Sequence, residues 1–235
     1  MSTQFTERDC VVRNYLASTD SEEDPLPPEY RNHCLQIVSI PNGPCEGNCY
    51  VVWDEAHPED AILIDPGEDA PLVVQTITEK GLKISGIYAT HGHGDHIDCI
   101  SALLDSIGDV PVHIHIGDKG MIRSQMEERV KQGKAFNLQL LTSNEEIHVG
   151  ERVGKCIHTP GHSEGSCCFL FDKVLFSGDT LFRRGIGRTD FKGGDAHKMV
   201  LSLNRLFALD PHTGVLPGHD ARTSIMEETL FRCVV

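Results

Sequence analysis

The chain has 235 residues, room for one large domain or two small ones, and its 39% hydrophobic and 24% charged residues fit an ordinary globular protein. It contains no run of about 18 apolar residues, so no membrane span is expected. Its formal net charge is −14 and it has no Lys/Arg-rich run, which argues against nucleic acid, whose binders carry a basic face.

Residues 1–32 read as an arm. "STDSEEDPLPPEY" is acidic and Pro-rich, which predicts loop or partial disorder. The N-terminus lacks an apolar signal core, so a cytoplasmic protein is expected. The nine cysteines are odd in number and follow no export signal, which favours reduced thiols. "HCLQIVSIP", "CYVVWD" and "AILID" then read as three strands separated by Gly/Pro/Asp turns. "APLVVQTITEKG" suits a helix closed by Gly81. "KISGIYAT" is a strand, and a helix is predicted near 97–107. "VPVHIHI" alternates with period two, and "GDKGMIRSQMEERVKQG" is predicted helical. Strands are predicted at 138–141, 145–149, 152–158, 166–172 and 173–177. "AHKMVLSLNRLFAL" is an amphipathic helix, "GVLP" a short strand and "SIMEETLF" a last helix. Strand-rich runs with interspersed helices predict an α/β arrangement of packed sheets with outer helices.

Between "KISGIYAT" and the following helix lies "HGHGDH", with His91, His93, Asp95 and His96 in six positions. Neutral imidazole is the commonest metal ligand, and the end of a strand is where binding loops sit. Three later strand-to-loop junctions each present one further donor: His162 in "CIHTPGHSEGS", Asp179 in "KVLFSGDTLF" and His219 in "GVLPGHDA". The total is five imidazoles and two carboxylates. A catalytic zinc takes three protein ligands, so seven suffice for two ions if one carboxylate bridges. Nitrogen and oxygen donors without cysteine suit zinc and also iron or manganese.

"THGHGDH" resembles the His-x-His-x-Asp-His signature of the metallo-β-lactamase-fold hydrolases, and "LIDPG", "TPGHSEGS", "SGDTLF" and "PGHD" match the other motifs in order. The resemblance covers roughly residues 34–225 and is nearest to the glyoxalase II branch and its short relatives. It implies an αββα sandwich, with residues 33–235 as one catalytic domain and the site at the sheet edges. Carried over by position, His91, His93 and His162 would hold one metal; Asp95, His96 and His219 the other; Asp179 would bridge. Asp65 would support the metal loop from behind. Two divalent ions, zinc first among them, are implied. They would lower the pKa of a shared water and supply a hydroxide nucleophile. Asp95 would orient it.

The implied substrate is a small-molecule thioester of the hydroxyacylglutathione type. A thiolate leaves without a dedicated acid, since a free thiol has a pKa of about 8.5. The long members of the branch have a C-terminal helical domain and a Lys-x-Tyr pair that contact glutathione. Here about a dozen residues follow "PGHDARTS", Arg188 stands at the Lys position and Asp190 at the Tyr position. Arg188 is therefore read as substrate-binding, the aromatic anchor as lost, and weak substrate binding is expected. "GRTDF" is shared with persulfide dioxygenases, so the alternative is a mononuclear non-haem iron dioxygenase using His91, His162 and Asp179. A metal-binding protein with little catalysis is a third reading. His113, His115 and His158 are predicted to be structural or exposed.

Overall fold

The computed structural model describes residues 35–232, so the expected arm at 1–32 lies outside the described residues. Two six-stranded sheets form the centre. The first contains β1 (Leu35–Asn42), β2 (Gly47–Asp54), β3 (His57–Ile64), β4 (Ile84–Ala89), β5 (Val112–His115) and β6 (Leu138–Leu141), side by side in that order. β1 to β3 pair antiparallel and β3 to β6 parallel. The second sheet contains β7 (Glu146–Val149), β8 (Arg152–His158), β9 (Cys167–Phe171), β10 (Val174–Gly178), β13 (Gly214–Pro217) and β14 (Thr223–Ser224), in the order β14-β13-β10-β9-β8-β7. β11 (Leu181–Phe182) and β12 (Gly185–Ile186) form a separate hairpin. The helices are α1 (Ala70–Glu79), α2 (Gly94–Ile97), α3 (Ile100–Ile107), α4 (Arg123–Lys131), α5 (Ala196–Leu206) and α6 (Ile225–Arg232). None of them is long and apolar enough to cross a membrane.

Strand alternation builds the layers, because successive side chains point to opposite faces. In β2, Tyr50 and Val52 face the second sheet while Val51 faces α1 and α3. In β10, Val174 and Phe176 face the first sheet while Leu175 faces Leu206 of α5. Val73, Ile77, Ile100 and Leu103 cover the outside of the first sheet. Phe169, Phe171 and Phe176 fill the space between the sheets against Tyr50, Ile62, Ile64 and Tyr88. The result is the expected αββα sandwich. Phe169 is fully buried at its centre. Phe169→Ala is expected to cost about 3–5 kcal/mol, seen as a lower urea midpoint with an unchanged slope.

The helix predicted near 97–107 is two pieces. The Cys99 amide donates to the Gly67 carbonyl at 2.9 Å, and the Gly67 amide donates to the His96 carbonyl at 3.0 Å. This stitching to the loop after β3 breaks the helix and fixes the His93–His96 turn. The segment after β5 is likewise a 3₁₀ turn, Ile116–Asp118, followed by α4. Cys45, Cys49, Cys99, Cys156, Cys167 and Cys168 are free thiols, as expected. His115 stacks on His158 at 4.0 Å and His113 on Tyr88 at 4.2 Å.

Candidate metal centre

Every candidate ligand follows the C-terminal end of a strand: His91, His93, Asp95 and His96 after β4, His162 after β8, Asp179 after β10 and His219 after β13. Backbone bonds hold these ends together. The Cys167 amide donates to Thr90 at 2.9 Å, the Gly218 amide to Gly178 at 2.9 Å and the Asn48 amide to Gly218 at 2.7 Å. Tyr50 donates its hydroxyl to the Pro217 carbonyl at 2.7 Å.

All seven residues come together. His91, His93 and His162 form one group able to hold a cation, and Asp95, His96 and His219 form another. His93 Nδ1 lies 2.8 Å from His162 Nε2, and His96 Nε2 lies 3.3 Å from His219 Nε2. Asp179 lies between the groups. Its Oδ2 is 3.4 Å from His162 Nε2 and its Oδ1 is 3.4 Å from His96 Nε2. Asp95 Oδ2 lies 3.2 Å from His219 Nε2.

The outer partners dictate which imidazole nitrogen faces inward. Thr90 donates its only hydroxyl proton to Asp65 Oδ2 at 2.6 Å, so towards His91 Nδ1, 3.2 Å away, it can only accept. That places the His91 proton on Nδ1 and leaves Nε2 a lone pair. His96 Nδ1 faces Asp65 Oδ2 at 3.1 Å, His162 Nδ1 the Arg188 carbonyl at 2.7 Å and His219 Nδ1 the Cys45 carbonyl at 3.1 Å. Each of these acceptors fixes a proton on Nδ1 and turns Nε2 into the site, the arrangement that orients metal-binding histidines. His93 is the exception and faces inward through Nδ1.

The residues fit cations for a further reason. His91 Nε2 and Asp179 Oδ1 are buried and have no hydrogen-bond partner, a costly state for polar atoms. Electrostatics agree. Burial, reinforced by repulsion from His96, pushes the His91 pKa well down, so its ring is neutral. The hydrogen bond from His219 holds the Asp95 carboxyl at about 2. Burial opposes a proton on His96, but Asp65, Asp179 and Asp95 outweigh it and push its pKa up to about 9. The carboxylates thus draw positive charge into the cluster.

Two residues hold the loops from behind. Asp65 has φ +48, a conformation non-glycine residues rarely adopt, and is kept there by bonds to the Thr90 amide (2.7 Å), the Thr90 hydroxyl and His96. Asp118, which sequence reasoning passed over, is 2% exposed and joins the His91–His96 loop to the His162 loop. It accepts from the Gly92 amide at 3.0 Å, the Ser163 hydroxyl at 2.6 Å and the Gly165 amide at 2.7 Å. The signal was present in "VHIHIGD", an apolar strand, a glycine and then an acid, the pattern that marked Asp179.

Gly218 adjoins the cluster. A Cβ there would come 2.3 Å from Asp179 Oδ1 and 2.8 Å from His96 Cε1. Gly218→Ala is expected to cut metal affinity about 10–100-fold, the usual effect of disturbing a ligand's surroundings, with far-UV circular dichroism unchanged. Competition with a chromogenic chelator measures it.

Arg188 meets the cluster through its carbonyl, while its side chain is exposed and its guanidinium already engaged. Nε donates to Asp190 Oδ1 at 2.9 Å, Nη2 to Oδ2 at 2.7 Å, and Cζ lies 4.2 Å from the centre of the Phe191 ring. Phe191 itself stands edge-on to His93 at 5.6 Å and His162 at 6.2 Å. Position 190 has no aromatic ring, as read from the sequence, and the next residue has one that faces the cluster.

A mixed α/β sandwich with a His/Asp cluster of this kind at its strand ends defines a metallo-hydrolase with a centre for divalent ions. The chain belongs to the metallo-beta-lactamase superfamily, whose sequence profile matches residues 42–219. It is 31% identical over 207 residues to hydroxyacylglutathione hydrolase GloC of Haemophilus influenzae, covering 83% of this chain and 95% of that protein. It is similar to the crystal structure of ETHE1 from Myxococcus xanthus, with 31% identity, a TM-score of 0.70 and coverage of 83% of this chain and 81% of that one. It is also similar to TTHA1623 in a di-iron-bound form, with 30% identity, a TM-score of 0.70 and coverage of 83% and 96%.

Proposed function

We propose that this chain is a dinuclear metallo-hydrolase that cleaves thioesters of a small hydroxy acid and glutathione. His91, His93 and His162 would hold one ion, Asp95, His96 and His219 the other, and Asp179 both. The observation that carries the reading is the placement of Asp179, with one oxygen 3.4 Å from a histidine of each group. Likeness to GloC supports the substrate class. Zinc is the first expectation for the metal, and the di-iron form of TTHA1623 keeps iron in view.

Bound ions of this kind supply a water-derived nucleophile at neutral pH and polarise the substrate carbonyl. The chain's own groups do the rest. Asp95, ionised and 3.2 Å from His219, is placed to accept a hydrogen bond from the attacking water and orient it. The leaving thiolate requires no acid. Asp118, which lines the cleft, has its carboxylate engaged by three donors that tie the two loops together.

Likeness to ETHE1 supports a second reading, the iron dioxygenase acting on a glutathione persulfide through His91, His162 and Asp179. One preparation assayed two ways separates them. Thioester hydrolysis with a high KM is expected, because uniform binding contacts are few. Rapid oxygen uptake with glutathione persulfide and negligible thioester loss would move the chain to the dioxygenase class.

A further inference from the structure

We propose that Lys192 reads an anionic group on the thiol portion of the substrate, and that Arg188 is a positioning residue that braces Phe191 as the aromatic wall of the cleft. The inference rests on the thioester reading above. The cleft that opens over His93, Asp95, His162 and Asp179 continues to Phe191 and Lys192. Among the described residues that line it, Lys192 is the one lysine or arginine. No carboxylate among the described residues pairs with it.

Its position is fixed by the backbone. The Gly194 amide donates to the Phe191 carbonyl at 2.8 Å, closing a turn with Lys192 at its second position. The Asp195 amide donates to the Gly161 carbonyl at 2.8 Å, which ties this turn to the His162 loop. The side chain of Asp195 then caps α5 through the His197 and Lys198 amides. The Lys192 backbone is therefore fixed beside the His162 loop, and its exposed side chain extends from there.

Arg188 is a poor anion reader by contrast. Its guanidinium already makes a two-pronged pair with Asp190, so a substrate carboxylate would only exchange one partner for another. Its flat face rests on Phe191, which holds that ring against His93 and His162. Two further carboxylates line the cleft, Glu68 and Glu164, and the Glu164 backbone adjoins the Lys192 turn at Gly193. An acyl thioester thus has its carbonyl at the cluster, its apolar stem on Phe191 and its anionic end at Lys192.

The test uses the metal-loaded full chain and one acyl group on two carriers, glutathione, which bears carboxylates, and N-acetylcysteamine, which bears none. The wild type is expected to favour the glutathione carrier. Lys192→Met should lower kcat/KM on that carrier about fivefold more than on the neutral one, the scale of an exposed charge pair. Lys192→Arg should restore the preference, and 0.5 M salt should shrink it. Arg188→Ala should raise KM on both carriers alike. Calorimetric titration with S-methylglutathione, which cannot be hydrolysed, should show about fivefold weaker binding to Lys192→Met. An unchanged carrier preference in Lys192→Met, with the preference lost in Arg188→Ala, would overturn the inference while leaving the thioester reading intact. If neither carrier is hydrolysed, the thioester reading fails; the titration then decides alone, and equal binding of S-methylglutathione to wild type and Lys192→Met overturns the role of Lys192.

Discussion

Asp179→Ala is expected to abolish turnover and to strip metal from the protein, and to do more damage on both counts than His219→Ala. The carboxylate of Asp179 reaches His162 on one side and His96 on the other, both at 3.4 Å, whereas His219 adjoins the group formed with Asp95 and His96. Under the dinuclear reading a bridging group would serve both ions, so its loss would weaken both donor sets. Changes to the surroundings of a ligand cost about 10–100-fold in activity or affinity, and loss of the shared ligand should exceed that range. Loss of metal and loss of activity should go together, because metal binding is linked to the folded arrangement of its ligands. Turnover and metal content of the two variants, measured side by side, test this. Equal activity in both, with full metal in Asp179→Ala, would contradict the assignment.

Asp65→Ala should have the second largest effect, although Asp65 lies behind the seven donors and is no part of them. Three donors converge on its carboxylate: the Thr90 amide, the Thr90 hydroxyl and His96 Nδ1. All are buried, and each orphaned donor costs about 1–3 kcal/mol. The variant should therefore lose several kcal/mol of stability. It should also release the Thr90 hydroxyl, which then can donate to His91 Nδ1 and allow the proton to move to Nε2. Metal affinity should fall by about 10–100-fold as both tautomers loosen. Thermal melts with and without added metal distinguish the two losses, since metal that binds only the folded chain raises stability by mass action. A variant that melts like the wild type and binds metal equally would show that Asp65 does not orient His96.

Much of this is legible in the sequence. The strand alternation in "CYVVWD" and "VPVHIHI" is local, and so is the pattern of strand, small residue and donor that marks His162, Asp179 and His219. The β11–β12 hairpin was not readable. Its turn is Arg183–Arg184, with Arg184 at φ +60, where the favoured residues are Asn-Gly or Asp-Gly. Asp118 escaped because its partners lie 26 to 47 positions away, at Gly92, Ser163 and Gly165, and only the packed sheets bring them together. Arg188 was read as substrate-binding, and its pairing with Asp190 and stacking on Phe191, which depend on the turn that follows, were not legible. The choice of inward-facing nitrogen in each histidine likewise depends on distant acceptors, the Cys45 and Arg188 carbonyls among them.

The measurement that tests the dinuclear reading most directly is metal content per chain, by elemental analysis of protein purified without added metal, paired with anomalous diffraction. Two ions per chain are predicted, one among His91, His93 and His162, the other among Asp95, His96 and His219, with Asp179 touching both. One well-occupied iron held only by His91, His162 and Asp179, with His96 and His219 unliganded, would contradict it.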